Sequence, residues 1–363
     1  MGHVRALAED DIPQIADLYE RVFSGGEASP SSALRSYLAE ILWRHPWRDE
    51  ELPSLVYEDD AGRVVGCLGV MPRPMSMKGR PVRAAVSHTL MVEPERRSTL
   101  AAVELLKTFF AGPQDLSMSE GNSTSRRIWR VLGGTRAPLH SFCWTRLVRP
   151  ARYALSFVRR RGLPAAVGVG LAPLGRVTDA LLGRLAQNPL RCRAPRTSAE
   201  ELHAETFQAC LSELSCTRSL WPEYDERSLK WLLEILNQKT HLGTLRKKLV
   251  RNARGEVLGA YLYYANASGV SEVVQVLARA DAAHEVIDHL SWDALQHRAL
   301  ALSGQVDPGL VQALSDRYCR FRLDPDSAGV WVRSRSPELL RAILSGDCLL
   351  TRLECEWWIS VHD

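Results

Sequence analysis

Residues 84–134 read AAVSHTLMVEPERRSTLAAVELLKTFFAGPQDLSMSEGNSTSRRIWRVLGG. An apolar strand ends at Met91-Val92, then come Pro94 and the run Arg96-Arg97-Ser98-Thr99, and a helix departs near Leu100. A second strand near Leu116–Ser119 leads to Asn122 and another helix, closed by Gly133-Gly134. Strand, short basic loop and helix is the arrangement by which a fold offers backbone N–H groups and a positive helix end to a phosphate.

Upstream, a short strand at residues 3–7 precedes Glu9-Asp10-Asp11 and Pro13, which open an amphipathic helix carrying Ile12, Ile15, Leu18, Tyr19 and Val22. A second helix spans 31–43. Strands at 55–58 and 63–70 flank the turn Asp59-Asp60-Ala61-Gly62, and Lys78-Gly79-Arg80-Pro81 turns the chain into the strand 83–92. Downstream, the same grammar returns in faded form. Residues 252–259 repeat the turn-and-glycine logic of 59–66; a strand at 272–277 precedes a helix at 282–297, and a short strand at 299–303 follows. After Leu277 the chain reads Ala278-Arg279-Ala280-Asp281, with neither a basic run nor a glycine loop. The order predicts an α/β protein, an α+β mixed sheet repeated as two domains in tandem, each sheet twisted and flanked by helices. The boundaries are 1–150, a connector at 151–199, and 200–363, the second domain being degenerate.

Bulk properties agree with two ordinary globular domains: 363 residues, 45% hydrophobic, 24% charged. A net charge of +4 is too mild to argue for nucleic acid, and no nucleic-acid partner is expected. The eight cysteines are scattered without metal-site spacing, so no metal is expected and a reducing, cytoplasmic setting is. The N-terminus lacks an apolar signal region. Residues 151–199 hold nine arginines and one acid, Asp179, between apolar runs. They read as a connector whose arginines brace the acid-rich first helices, with peripheral contact to an anionic membrane as the alternative. Oligomeric state is not legible.

The first region resembles the GNAT superfamily of acyl-CoA-dependent N-acyltransferases. In that family a strand ending Val-x-Pro-x-x-Arg feeds a pyrophosphate loop, matched here by Val92, Pro94 and Arg97. A later Asn-x-x-Ala-x-x-x-Tyr-x-x-x-Gly-Phe helix lies along the pantetheine arm, matched by Asn122, Leu132 and Gly133. The resemblance implies that Met91, Val92, Arg96, Arg97, Ser98, Thr99, Asn122 and Trp129 contact acetyl-CoA or another acyl-CoA as co-substrate. Leu100 and Ala102 replace the usual loop glycines, Trp129 replaces the tyrosine acid, and Gly134 the final Phe. An indole N–H donates but does not titrate.

The resemblance further implies N-acyl transfer, most simply acetyl transfer, to a primary amine of a small acceptor such as an amino sugar or amino-acid-like molecule, by direct attack in a ternary complex. The alternative is a non-catalytic GNAT-fold protein that binds an acyl carrier or a partner enzyme. An aminoacyl-tRNA donor, as in some tandem relatives, ranks behind both. Met91 or Val92 N–H is the expected oxyanion donor. For the base, His88 lies four residues before Val92 on the same strand, with alternation placing Val86, His88, Leu90 and Val92 on one face. It reads equally as a core histidine. Glu120, after the second strand, is the other candidate, with a helix-end charge as its plain reading. Trp357-Trp358 in a terminal strand reads as core closure.

Overall fold

The computed structural model describes residues 2–24, 30–96, 100–160, 165–185, 187–214, 218–323 and 329–359. Arg97, Ser98 and Thr99 of the expected phosphate loop lie outside them, as does the side chain of Arg96. Two compact units are present: residues 1–141, 218–231 and 324–363 form one, residues 142–217 and 232–323 the other.

The first unit holds an eight-stranded mixed sheet. Its strands are β1 (His3–Ala6), β2 (Leu55–Glu58), β3 (Val64–Met77), β4 (Arg80–Val92), β5 (Leu116–Ser119), β6 (Thr135–Arg136), β9 (Leu220–Pro222) and β15 (Trp331–Ser334). They run in the order β1-β2-β3-β4-β5-β15-β6, with β9 beside β3. The hairpin β3–β4 is its spine. Lys78 and Gly79 both take positive φ, 51° and 80°, the two-residue mirror-image turn that suits right-twisted strands. At the β2–β3 turn, Asp59 Oδ1 accepts from the N–H groups of Ala61 and Arg63 at 3.0 Å each. Pro72 and Pro74 sit inside β3 without penalty because β2 pairs with β3 only at Val64–Leu68 and β9 only at Met75–Met77.

Helices α1 (Ile12–Tyr19) and α2 (Ser32–Ala39) each run on into a π turn, Glu20–Ser24 and Glu40–Arg44. Helix α3 (Ala101–Ala111) buries Leu105, Leu106, Phe109 and Phe110 against Leu68, Val70 and Ala85 of the sheet and Trp129 of α4 (Ser123–Val131). Each such side chain removed from water stabilises by roughly 1.5–3 kcal/mol.

The second unit repeats the plan. Its strands are β7 (Phe142–Leu147), β8 (Ser198–Glu201), β10 (Thr244–Arg251), β11 (Val257–Ala265), β12 (Val270–Ala278), β13 (Ala301–Gln305) and β14 (Arg320–Leu323), in the order β14-β7-β13-β12-β11-β10-β8. In both sheets the parallel pair is the one whose crossover carries a helix: β4 with β5 around α3, and β12 with β13 around α9 (Ala283–Gln296). The connector is a helical hairpin, α5 (Pro150–Arg160) and α6 (Ala165–Arg184). The remaining helices are α7 (Ala204–Leu214), α8 (Glu226–Asn237), α10 (Val311–Asp316) and α11 (Pro337–Ser345). Tyr261, Tyr263 and Tyr264 are all buried, bonded to His289, Asp293 and the Leu236 carbonyl.

Two expectations need correction. The units do not follow the linear partition 1–150, 151–199 and 200–363, because a strand changes sheet at each boundary. β15, near the end of the chain, inserts antiparallel between β5 and β6, and β7 inserts between β13 and β14. The Trp357-Trp358 region forms turns, not a strand. Among the acids of the leading helices, Glu9 pairs with Arg44, Asp11 with Arg5 and Asp17 with Arg35, all within the first unit.

The sheet order predicts that a charge at Val332, fully buried in β15, unfolds the N-terminal unit despite lying some two hundred residues away. Val332→Asp should cost several kcal/mol, about 3–5, by leaving a buried unpaired charge. Limited proteolysis should then cut within residues 1–141. Cleavage confined to 324–363 would contradict the assignment.

Candidate active site

Pairing between β4 and β5 ends at Val86 with Met118. Just beyond, β4 carries a bulge: Cys67 faces Met91 and Gly69 faces His88, so β4 spends one residue more than β3. Thr89 in that bulge has φ +49°. A β-branched residue there is strained, and such strain persists only where the surroundings hold it, as at functional sites. Two contacts hold it. The His88 ring Nδ1 lies 2.9 Å from Thr89 Oγ1, and the backbone N–H of Thr89 donates to Glu356. The bulge also breaks the expected alternation: Leu90 packs on the α3-side core with Ala85, at odd-even parity opposite to that of an unbroken strand.

Glu356 comes from the last turns of the chain and lies in the opening between the two strands. Its Oε2 accepts from Ser119 Oγ at 3.1 Å and from the Glu120 N–H at 2.9 Å. Glu120 reciprocates, its Oε2 accepting from the Trp357 N–H at 2.7 Å. Burial, then the charge of Glu356, pushes Glu120 up to about 8. Burial likewise raises Glu356, against the N–H and hydroxyl donors that lower it. Two buried carboxylates that repel each other favour keeping a proton on one of them near neutrality. Glu356 has no counterpart in the expected site. The only signal for it was the acidic, aromatic stretch Glu354-Cys355-Glu356-Trp357 near the chain end.

His88 is placed differently from a solvent-linked base. It is 1% exposed, and burial with the neighbouring His45 pushes it down to about 3. Its ring occupies the space of a side chain at Gly69, where an added Cβ would lie 2.3 Å from Cε1. It stays neutral through the physiological range and braces Thr89. Its Nε2, His45 Nδ1 and Arg73 Nη1 are buried without partners. Arg73 is itself packed over the Trp47 ring at 4.4 Å and bonded through Nη2 to Tyr224, whose hydroxyl donates to Glu354. Unsatisfied buried groups of this kind mark a place for a polar ligand atom or ordered water.

The other expected contacts divide. Met91 and Val92 are buried opposite Cys67 and Gly66 of β3, and the Thr89 N–H is a further donor beside the splay. Arg96 ends a short 3-10 turn, Pro94–Arg96. Beyond it, α3 starts with Leu100 at its N-cap and no side-chain cap. Asn122 is the N-cap of α4, its Oδ1 accepting from Thr124 and Ser125 N–H groups at 3.1 Å. Trp129 is 1% exposed and stands edge-on to Phe110 at 4.8 Å, a core contact. Gly134 is needed there, since a Cβ would meet the Trp129 carbonyl at 2.9 Å. In the second unit, Asp281 stands before α9 and pairs with Arg279 at 2.6 Å, placing a carboxylate where a phosphate would approach. Among the described residues no group of His, Cys, Asp and Glu forms a metal site.

Residues 3–116 match the family model described as the acetyltransferase (GNAT) domain. Among curated proteins none matches this chain. Solved structures do. A probable N-acyltransferase of unknown function from Enterococcus faecalis V583 aligns at TM-score 0.61 and 11% identity, over 95% of this chain and 74% of that one. A GCN5-related N-acetyltransferase from Anabaena variabilis aligns at 0.59 and 12%, over 94% and 75%. Saccharomyces cerevisiae N-myristoyltransferase with bound myristoyl-CoA aligns at 0.51 and 10%, over 91% and 82%. The chain is thus a GNAT-fold protein that carries a GNAT acetyltransferase domain in its first unit, with the fold repeated in tandem.

The carboxylate pair gives a stability prediction with a definite sign. Glu120 holds its proton to a higher pH in the folded chain than its ordinary 4.5. Between about pH 4.5 and about 8 the folded state binds more protons than the unfolded one, so stability falls as pH rises through that window. Glu120→Gln keeps an acceptor for the Trp357 N–H and abolishes this linkage. Its Tm relative to wild type should rise steadily from about pH 5 to about pH 8.5. A pH-independent difference would show that Glu120 titrates normally.

Proposed function

We propose that the N-terminal unit is an acyl-CoA-dependent N-acyltransferase acting on a primary amine of a small acceptor, by direct attack in a ternary complex. The observation that carries the reading is the opened β4–β5 edge, where Thr89, Ser119 and Glu120 turn their donors onto the carboxylate of Glu356. An edge of this kind is where a donor chain can add main-chain hydrogen bonds to a sheet.

In this reading the thioester arm lies along the opened edge, and its pyrophosphate meets Arg96, Arg97, Ser98 and Thr99 before α3. The absence of a side-chain cap on α3 supports that placement. The Glu120–Glu356 pair is the base. An ammonium acceptor is drawn to the paired carboxylates and gives up one proton to the ionised member. The neutral amine then attacks the thioester carbon, the C–N bond forms, the C–S bond breaks, and the proton shed by the attacking nitrogen passes to the departing thiolate, releasing CoA as the thiol. The Thr89 N–H is positioned to stabilise the oxyanion once it is freed from Glu356. His88 positions Thr89 and takes no proton. The unpartnered nitrogens of Arg73, His45 and His88 support an acceptor with an anionic or polar tail, in keeping with an amino-acid-like molecule. Acetyl is the simplest donor, and the myristoyl-CoA held by the yeast neighbour supports acyl-CoA as the class. The seven described cysteines are free, which supports a reducing, cytoplasmic setting. No described helix is long and apolar enough to cross a membrane.

A second reading, a non-catalytic protein of the same fold, draws support from Trp129, which is locked in the core at the position of the family's tyrosine acid.

Two variants separate these readings. Glu120→Gln should lower kcat on the order of 10²–10⁴-fold and leave CoA affinity nearly intact. Arg97→Glu should weaken CoA binding by roughly 1.5–3 kcal/mol, about 10–100-fold. CoA binding lost in Arg97→Glu with no turnover in wild type, across acyl-CoAs and amines, selects the non-catalytic reading. Unchanged CoA affinity in Arg97→Glu refutes the placement in both.

A further inference from the structure

The second unit contains a cavity of about 670 Å³ whose walls include Arg149, Arg152, Arg176, Arg191, Arg193 and Trp292. It lies between the start of α5, one face of α6, the segment around residues 188–194, and α9. Its volume is that of a small-molecule site. Five arginines line it, and one carboxylate residue, Asp179. That carboxylate is already engaged: it accepts from the N–H groups of Ala151 and Arg152 at 2.8 and 3.3 Å and from Arg152 Nε at 3.2 Å. Arg149 is held by its framework, donating to the carbonyls of Ala299 and Leu295 at 2.9 Å each. Burial, then the charge of Arg152, pushes Arg149 down. Arg176 and Arg191 have no carboxylate partner among the described residues.

A concave wall of like charges is costly unless something anionic shares it. Guanidinium forks match phosphate oxygens two bonds at a time. Trp292 adds a flat, half-buried apolar wall beside them. We propose that this cavity binds a phosphate-bearing ligand, in a site separate from the opened edge of the first unit. Arg149 and Arg152 form its fixed floor, and Arg176 and Arg191 close on the phosphate. Such a phosphate has two sources, a soluble compound or a phospholipid headgroup. The second is tested because α6 also exposes an apolar stripe: Leu174, Val177, Leu181 and Leu185 are each 57–63% exposed at helical spacing.

The experiment uses full-length protein. Wild type, Arg176→Gln/Arg191→Gln, Arg97→Glu and the control Arg159→Gln, outside the cavity, are titrated calorimetrically with pyrophosphate. They are also sedimented with phosphatidylcholine vesicles with and without phosphatidic acid. The double variant should lose about 10²-fold in pyrophosphate affinity if the ligand is soluble, or its phosphatidic acid-dependent sedimentation if the ligand is lipid. Arg159→Gln should retain both, Arg97→Glu should retain the binding event that the double variant loses, and the double variant should keep wild-type CoA affinity and circular dichroism. Binding by wild type in neither arm, or binding in the double variant equal to wild type, overturns the proposal. Loss in Arg97→Glu but not in the double variant places the phosphate in the first unit and overturns it equally.

Discussion

Across the gap between β4 and β5 the Glu356 carboxylate accepts the Glu120 N–H and the Glu120 carboxylate accepts the Trp357 N–H, and the site of the first unit is arranged around that exchange. It ties the last turns of the chain to a strand end more than two hundred residues earlier. It also satisfies the Thr89, Ser119 and Glu120 donors that β4 and β5 cannot give each other once they diverge. The cost is two carboxylates removed from water, visible in the upward shift of both. A fold seeking stability alone would fill such a gap with apolar side chains. Keeping a titratable pair there, beside a threonine in a strained backbone conformation, is an arrangement that chemistry explains better than packing does.

Much of this architecture was legible in the chain. Gly79 and Asp59-Gly62 announce their turns, and apolar periodicity outlines β4, α3 and β5, because those signals are local. The faded repeat was also legible, down to a helix crossover between parallel strands in each unit. The strand exchange was not. β15 and β7 are four and six residues long, and nothing in a short apolar run says which sheet edge it completes. The bulge was hidden for a related reason: alternation assumes an unbroken pleat, and one inserted residue reversed the facing of Leu90.

Within the site the same division holds. Glu120 was identifiable as a carboxylate following a strand, but its partner was not, because an acid near a chain end ordinarily reads as solvated. His88 drew notice for its place on the strand, yet its chemistry is set by Gly69, whose missing side chain makes the pocket that encloses the ring. Trp129 and Asn122 hold family positions while serving as core and cap. In the second unit, Asp281 before α9 puts a negative charge, paired with Arg279, beside the positive helix end. In the proposed reading the first unit keeps the donor-type edge, and the second carries the arginine-walled cavity.

The central claim is that acyl-CoA enters the opened edge of the first unit and nowhere in the second. Hydrogen–deuterium exchange of the intact protein, with and without a saturating acyl-CoA, addresses it directly. The account predicts slowed exchange in peptides covering residues 87–104 and 117–125, a change at 353–358 as Glu356 yields the Thr89 N–H, and none at 274–286. Protection at 274–286 with none at 87–104, or no protection in either region under saturating ligand, would contradict it.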